Sequence, residues 1–227
     1  MEWIAKGAAT SGSTLTLIKR ALNRMAWTKA KTTIVVGVIG LLVAGAAIIT
    51  LCNLHKPIQG IPKDWTVLHG DSEQWSWANG KINAHSTTGE TILASGREYR
   101  DVTLSALAGT TNREATLAFR LQDANNGYLV IFAPAGTPRD NAGSILLIKK
   151  TDGNEATLAT YQGRVLSSQG QSAKITVTAK GPLIEVRLND IRVLRVMDTA
   201  YPVGLIGLRI FGDTEYPCDA TFSKVTF

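Results

Sequence analysis

Two arginines occupy positions that a binding surface could use. Along Thr116–Leu121, Leu117, Phe119 and Leu121 alternate, so a strand there would point Arg120 to the opposite side. Along Leu205–Phe211, Ile206, Leu208 and Ile210 alternate, and Arg209 again faces the other way. Tyr128 opens the run that follows the turn-rich stretch Gln122–Gly127, which contains Asp123, Asn125 and Asn126. If these runs are neighbouring strands, Arg120, Tyr128 and Arg209 line one concave sheet face, with Asp123 and Asn126 in the loop beside it. Guanidinium forks and aromatic rings suit hydroxyl-rich or anionic sugars, through hydrogen bonds and stacking. A plainer reading competes with this one: the arginines solubilise an outer face or pair with acids, and the loop residues form turns. Trp75 and Trp77 share a strand face, as a stacking platform or as core.

Hydrolytic chemistry has less support. Glycoside cleavage needs two carboxyl groups about 5–10 Å apart. A strand spaced Glu-x-Asp-x-x-Glu, which would present acids on one face, does not occur. The nearest acid cluster, Asp213, Glu215 and Asp219, is interrupted by Pro217 and reads as a solvated turn, with a weak calcium site as the alternative. Apart from that possible calcium, no cofactor is expected. No nucleophile elbow or phosphate loop is present. His69 and His85 read as surface or structural residues. The three histidines are too scattered for a multi-histidine metal centre.

The elements that would position these residues read as strands. Beyond residue 63, short apolar or alternating runs recur every 8–12 residues between turn signals. Trp75–Ala78 and Lys81–Ala84 flank Asn79-Gly80, a strong two-residue hairpin signal. Tyr99–Leu107 alternates as one run. Ser144–Lys150 and Glu155–Tyr161 flank Asp152-Gly153-Asn154, and Leu183–Leu188 and Ile191–Val196 flank Asn189-Asp190. Leu205–Phe211 and Ala220–Phe227 complete the pattern. The expected fold is all-β: an antiparallel two-sheet jelly-roll sandwich over 64–227. Cys218 is expected as a buried thiol.

The first 63 residues have another character. Thr32–Leu54 is 23 residues without a charge, enough to span a bilayer as one helix. Residues 1–31 carry six basic side chains against Glu2 alone, which places them in the cytoplasm and residues 57–227 outside it. Leu15, Ile18, Leu22 and Met25 lie at helical spacing opposite Arg20 and Arg24, a short amphipathic helix for anionic headgroups. Residues 55–63 form a linker. The chain therefore divides into a basic flank (1–31), a transmembrane helix (32–54), a linker (55–63) and an extracytoplasmic sandwich (64–227). Residues 1–56 hold seven of the 24 basic side chains and one of the 18 acidic ones, so the remaining 17 of each cancel. The whole net charge of +6 lies on the anchor side, and a nucleic-acid footprint on the folded domain is excluded.

Two resemblances follow from quoted stretches. Thr10–Gly45, with its MAWTKAK before the apolar run, resembles the membrane-anchored tail of some bacterial extracytoplasmic-function sigma factors; this implies a shared anchor, not transcription initiation. The outer domain resembles concanavalin-A-like, laminin-G-type sandwiches of the 3-keto-disaccharide hydrolase-like branch. That likeness rests on Trp75–Gly80, ILASGREYRDVTLSA (Ile92–Ala106), AFRLQDANNGYLVIF (Ala118–Phe132), IEVRLNDIRVLRV (Ile184–Val196) and GLIGLRIF (Gly204–Phe211). It implies the sandwich fold and chemistry on sugars. Three functions stay open: a membrane-anchored lectin-like domain binding glycans or cell-envelope carbohydrate, a sugar-processing hydrolase or lyase, and a sensor whose residues 1–31 contact a cytoplasmic regulatory partner.

Overall fold

The computed structural model describes residues 64–138, 141–163 and 169–227. The amphipathic segment, the transmembrane helix, the linker and the sigma-factor-like stretch expected from the sequence lie outside the described residues. Among the described residues, no helix is long and apolar enough to cross a membrane. The described residues all lie in one compact unit built around its own core. With its own core, such a unit folds alone.

Fourteen strands follow in chain order: β1 (Trp65–His69), β2 (Trp75–Ala78), β3 (Lys81–Ser86), β4 (Gly89–Tyr99), β5 (Val102–Thr111), β6 (Ala115–Asp123), β7 (Asn126–Ala133), β8 (Ser144–Thr151), β9 (Asn154–Gln162), β10 (Ser172–Lys180), β11 (Leu183–Leu188), β12 (Ile191–Met197), β13 (Gly204–Gly212) and β14 (Cys218–Thr226). A single 3₁₀ turn, Ser72–Gln74, precedes β2. Sheet I has the order β1-β4-β13-β6-β7-β8-β9 and sheet II the order β12-β11-β10-β5-β14-β3-β2. All strand pairs are antiparallel. This is the two-sheet sandwich the alternation implies.

The hairpin turns behave as their residues dictate. Asn79-Gly80, Asp152-Gly153 and Asn189-Asp190 all take positive φ, the type I′ pattern that matches strand twist. One boundary differs from the sequence reading. Of the run Tyr99–Leu107, only Tyr99 belongs to β4; the chain passes from sheet I to sheet II at Arg100-Asp101, and β5 begins at Val102. Alternation continues through the corner, so periodicity alone does not mark it. Trp65–His69, Gly89–Tyr99 and Ser172–Lys180 are additional strands.

Leu117, Phe119, Val130, Phe132, Leu147 and Leu208 of sheet I pack against Ile82, Leu104, Val177, Val186 and Phe222 of sheet II, all buried. Cys218 is buried in the same core, and burial pushes its thiol up to about 12, so it is unreactive at neutral pH. The outer face of sheet I is also apolar. Ile92, Ala94, Ala118, Leu129, Ile131 and Ile148 form a second buried cluster there. Sheet II instead turns Thr103, Ser105, Thr176 and Thr178 outward, paired as a hydroxyl ladder.

The strand alternation fails at one point that matters for function. Arg120 has φ +50, and the β6–β7 register slips between Phe119 and Asp123. This is a β-bulge, which adds a residue and reverses the facing of everything beyond it. Leu121 therefore joins the outer cluster instead of sharing the inner face with Leu117 and Phe119. Arg120 is 1% exposed. Its Nε and Nη2 donate to the carbonyl of Arg100 at 3.1 and 2.8 Å, and Nη2 also donates to that of Gly181 at 2.8 Å. The side chain thus joins sheet I to turns at the end of sheet II. Neighbouring strands leave room for the bulge only through glycine. A Cβ on Gly204 would lie 2.5 Å from the Arg120 carbonyl carbon, and one on Gly127 would lie 2.9 Å from the Leu121 Cα.

Replacing Arg120 by Met removes the three hydrogen bonds that join sheet I to the Arg100 and Gly181 carbonyls, and replacing Gly204 by Ala forces the bulge to move. Urea titration of residues 57–227 is expected to show a loss of about 3 kcal/mol for the first. The second should unfold at clearly lower urea, with the slope of the transition unchanged.

Candidate functional site

The residues expected to share a face separate into two groups. Arg120 and Tyr128 lie inside the end of the sandwich and do not line an open face. Tyr128 is buried, stacks on Phe119 at 5.2 Å between ring centres and meets Tyr201 edge-on at 5.4 Å. Its hydroxyl donates to Asp198 and accepts from the Tyr201 amide at 3.3 Å. Burial and the bond to Asp198 push the phenol well above its ordinary range. Burial alone would raise Asp198, but hydrogen bonds from Tyr128, the Ala200 amide and Lys149 outweigh it and hold the carboxyl low. The physical reason Tyr128 leaves the predicted groove is its register: it pairs with Phe119, on the inner face.

Asp123 and Asn126 are occupied by turn structure. Asp123 accepts from the Asn125 amide at 2.6 Å and from Asn126 Nδ2 at 3.1 Å. Asn126 Oδ1 accepts from the Asp152 amide at 3.0 Å and from the Tyr201 hydroxyl at 3.2 Å. These bonds tie the β6–β7 turn to the β8–β9 turn. Asp213 and Asp219 likewise have separate partners, Arg113 and His85. Among the described residues, no three metal-ligating groups converge.

Arg209 remains on the outer face of sheet I, opposite Ile206, Leu208 and Ile210 as its spacing requires. Its partners were not apparent from the sequence. Nε donates to Glu90, and Nη2 donates to Glu155 at 2.9 Å. Lys150 Nζ donates to the second oxygen of Glu90 at 2.7 Å. Glu90 is on β4 and Lys150 on β8, four strand spacings apart. In a flat sheet that is about 19 Å, so the contact requires sheet I to curl strongly toward its outer face. The same holds for Arg209 on β13 and Glu155 on β9. The outer face is therefore curled into a closed concavity over the second apolar cluster, whose residues are buried, and is crossed by four charges.

Two polar atoms in this concavity are unsatisfied. Arg209 Nη1 and Thr116 Oγ1 are buried without a hydrogen-bond partner among the described residues. Arg209 and Thr116 are register partners on β13 and β6, so the two residues sit side by side on adjacent strands. A buried donor left unpaired costs about 1–3 kcal/mol, more when charged. Such a pair marks a place where a hydroxyl group or a water completes the bonding. Side-chain exposure is 6% at Arg209, 7% at Lys150, 14% at Glu90 and 34% at Glu155, so the approach lies on the Glu155 side.

Glu90 and Glu155 are the pair of carboxylates that sequence spacing did not reveal. They bind one guanidinium from strands far apart in sequence and in the sheet. Burial would raise Glu90, but the charges and hydrogen bonds of Arg209 and Lys150 outweigh it and hold its carboxyl below the usual range. A carboxyl held low is ionised at neutral pH and does not supply the proton that a glycosidase acid must donate.

No family model matches the chain, and neither does any curated protein. Solved structures do. The carbohydrate-binding module CBM66 from Bacillus subtilis is 20% identical, with a TM-score of 0.61 over 75% of this chain and 98% of that one. A prokaryotic β-1,3-1,4-glucanase (lichenase) derived from a mouse hindgut metagenome is 10% identical, with a TM-score of 0.55 over 70% and 90%. The carbohydrate recognition domain of Emp46p, in its metal-free form, is 12% identical, with a TM-score of 0.52 over 75% and 93%. The chain shares with them the concanavalin-like jelly-roll fold.

The depressed Glu90 carboxyl fixes the direction of an acid response. In the fold it binds its proton at lower pH than in the unfolded chain. Its stabilisation is full above the ordinary glutamate value, about 4.3, and is lost as pH falls through the lower folded value. Thermal melts between pH 7 and pH 2.5 should show this loss, and Glu90→Gln should flatten the acid limb while lowering stability at pH 7.

Proposed function

We propose that the sandwich binds carbohydrate through the concave outer face of sheet I, centred on Arg209. The observation that carries this reading is that Arg209, paired with Glu90 and Glu155, and its register partner Thr116 each keep a buried polar atom, Nη1 and Oγ1, without a partner among the described residues. Ligand hydroxyls can accept from Arg209 Nη1 and bond to Thr116 Oγ1. Two cations and two anions leave the cluster neutral, so an added anion would find no uncompensated positive charge. The preferred ligand is accordingly a neutral, hydroxyl-rich sugar rather than a uronic acid. The solved structures of like fold support the reading by their names, which include a carbohydrate-binding module and a carbohydrate recognition domain. A hydrolytic role is less favoured, because Glu90 is held ionised.

Thr116→Val provides the sharper test. It removes a hydroxyl with no partner among the described residues, so stability should hold or rise. Binding of residues 57–227 to immobilised neutral glycans, measured by calorimetry on the best ligand, should nonetheless weaken about tenfold, which is about 1.4 kcal/mol. Arg209→Gln should abolish it. Silence across neutral and acidic glycans, or preference for acidic ones, would count against the reading.

We also propose that residues 32–54 anchor the sandwich in a membrane, with residues 1–31 in the cytoplasm and able to contact a regulatory partner there, and the sandwich outside. The support is the uncharged 23-residue run and the one-sided basic flank. In intact cells, an impermeant maleimide should label a cysteine introduced at Asn154 but not one introduced at Ser11. The opposite pattern would refute the topology.

A further inference from the structure

A second cavity lies away from the Arg209 cluster, between the two layers on the side where β1 closes sheet I and β2 closes sheet II. It has a volume of about 320 Å³ and is lined by Trp65, Trp77, Ile82, Phe222, Lys224 and Phe227, among others. That volume is at the lower end of the range of small-molecule sites. Trp65 is buried and lies 6.1 Å from the Phe227 ring, forming the floor. Trp77 and Phe227 are 38% and 53% exposed, two of the five large apolar side chains that the described surface leaves open. Trp75, on the same strand face as Trp77, is fully committed to the core, its indole donating to Thr91 at 2.7 Å. Trp77 is therefore the tryptophan left for a ligand.

The rim carries a second anomaly. Lys224 has φ +50, where the β14–β5 register slips between Ser223 and Thr226. A left-handed conformation at a long side chain is costly and is retained where it re-aims a residue. Here the bulge sits beside the cavity mouth. The exposed Lys224 makes no ion pair among the described residues. The walls are aromatic and aliphatic, with few hydrogen-bonding groups. A sugar enclosed there would leave most hydroxyls unpaired, at a cost for each. A compact apolar body avoids that cost, and a single anionic head would meet the Lys224 ammonium.

We propose that this cavity binds a small amphipathic anion: an aromatic or short acyl body seated between Trp77 and Phe227, with a carboxylate or sulfonate on Lys224. The site is independent of the carbohydrate face and does not rest on it.

The probe is 1-anilinonaphthalene-8-sulfonate, followed by its fluorescence on residues 57–227, with 4-phenylbutyrate and the neutral 4-phenylbutanol as competitors. One saturable site is expected. The acid should displace the probe at least tenfold more effectively than the alcohol. Trp77→Ala should weaken the probe at least tenfold. Lys224→Gln, a surface change that leaves the core alone, should abolish the preference for acid over alcohol. Non-saturable binding, equal competition by acid and alcohol on the unaltered protein, or a preference that survives Lys224→Gln would overturn the proposal. Circular dichroism of each variant checks that the fold is intact.

Discussion

Sheet I is apolar on both faces, and water cannot be left against either one. The inner face is covered by sheet II. The outer face, with Ile92, Ala118, Leu129 and Ile131, lies in the concavity formed as the sheet curls. Curling brings strands four spacings apart close enough for Glu90 to reach Lys150 and for Arg209 to reach Glu155. The charged cluster and the concavity thus follow from one constraint, the disposal of a second apolar face.

The curl has local causes. Bulges increase twist, and sheet I contains register slips at Val67/His69, Leu147/Ile148, Leu205/Gly207 and after Phe119. The slip after Phe119 also frees Arg120 from the strand face and turns its guanidinium to the carbonyls of Arg100 and Gly181. Gly204 and Gly127 flank that bulge because nothing larger fits. One irregularity therefore serves three ends. It deepens the concave face, pins the sheets together at one end, and removes an arginine from the surface that alternation assigns to it.

Burying charge is expensive, so the Arg209 cluster is a weak argument for stability alone. Pairs of this kind roughly break even against apolar packing. Glu90 satisfies both its oxygens, whereas Arg209 and Thr116 each keep one polar atom without a partner among the described residues. An arrangement that carries this cost and faces the concavity is better suited to recognition than to stability. Sheet II makes the contrast clear. Its outward Thr103, Ser105, Thr176 and Thr178 pair with one another, so each of these hydroxyls has a partner.

By itself the sequence determined the elements whose signals are local. Alternation fixes the strands, the Asn79-Gly80 and Asn189-Asp190 turns need positive φ that these residues tolerate, and the position of Arg209 opposite Ile206, Leu208 and Ile210 follows from a period of two. The charge arithmetic is equally local and separates a neutral sandwich from a basic N-terminal stretch. Tertiary structure alone decided the fate of Arg120 and Tyr128 and the partners of Arg209. A bulge reverses facing without changing composition, so Arg120 and Leu121 were placed on the wrong sides. Glu90, Thr116, Lys150 and Glu155 are far apart in the chain and meet only because strand order and curl bring opposite parts of one sheet together. Trp75 and Trp77 have identical local signatures; the end of the inter-sheet layer buries one and leaves the other open.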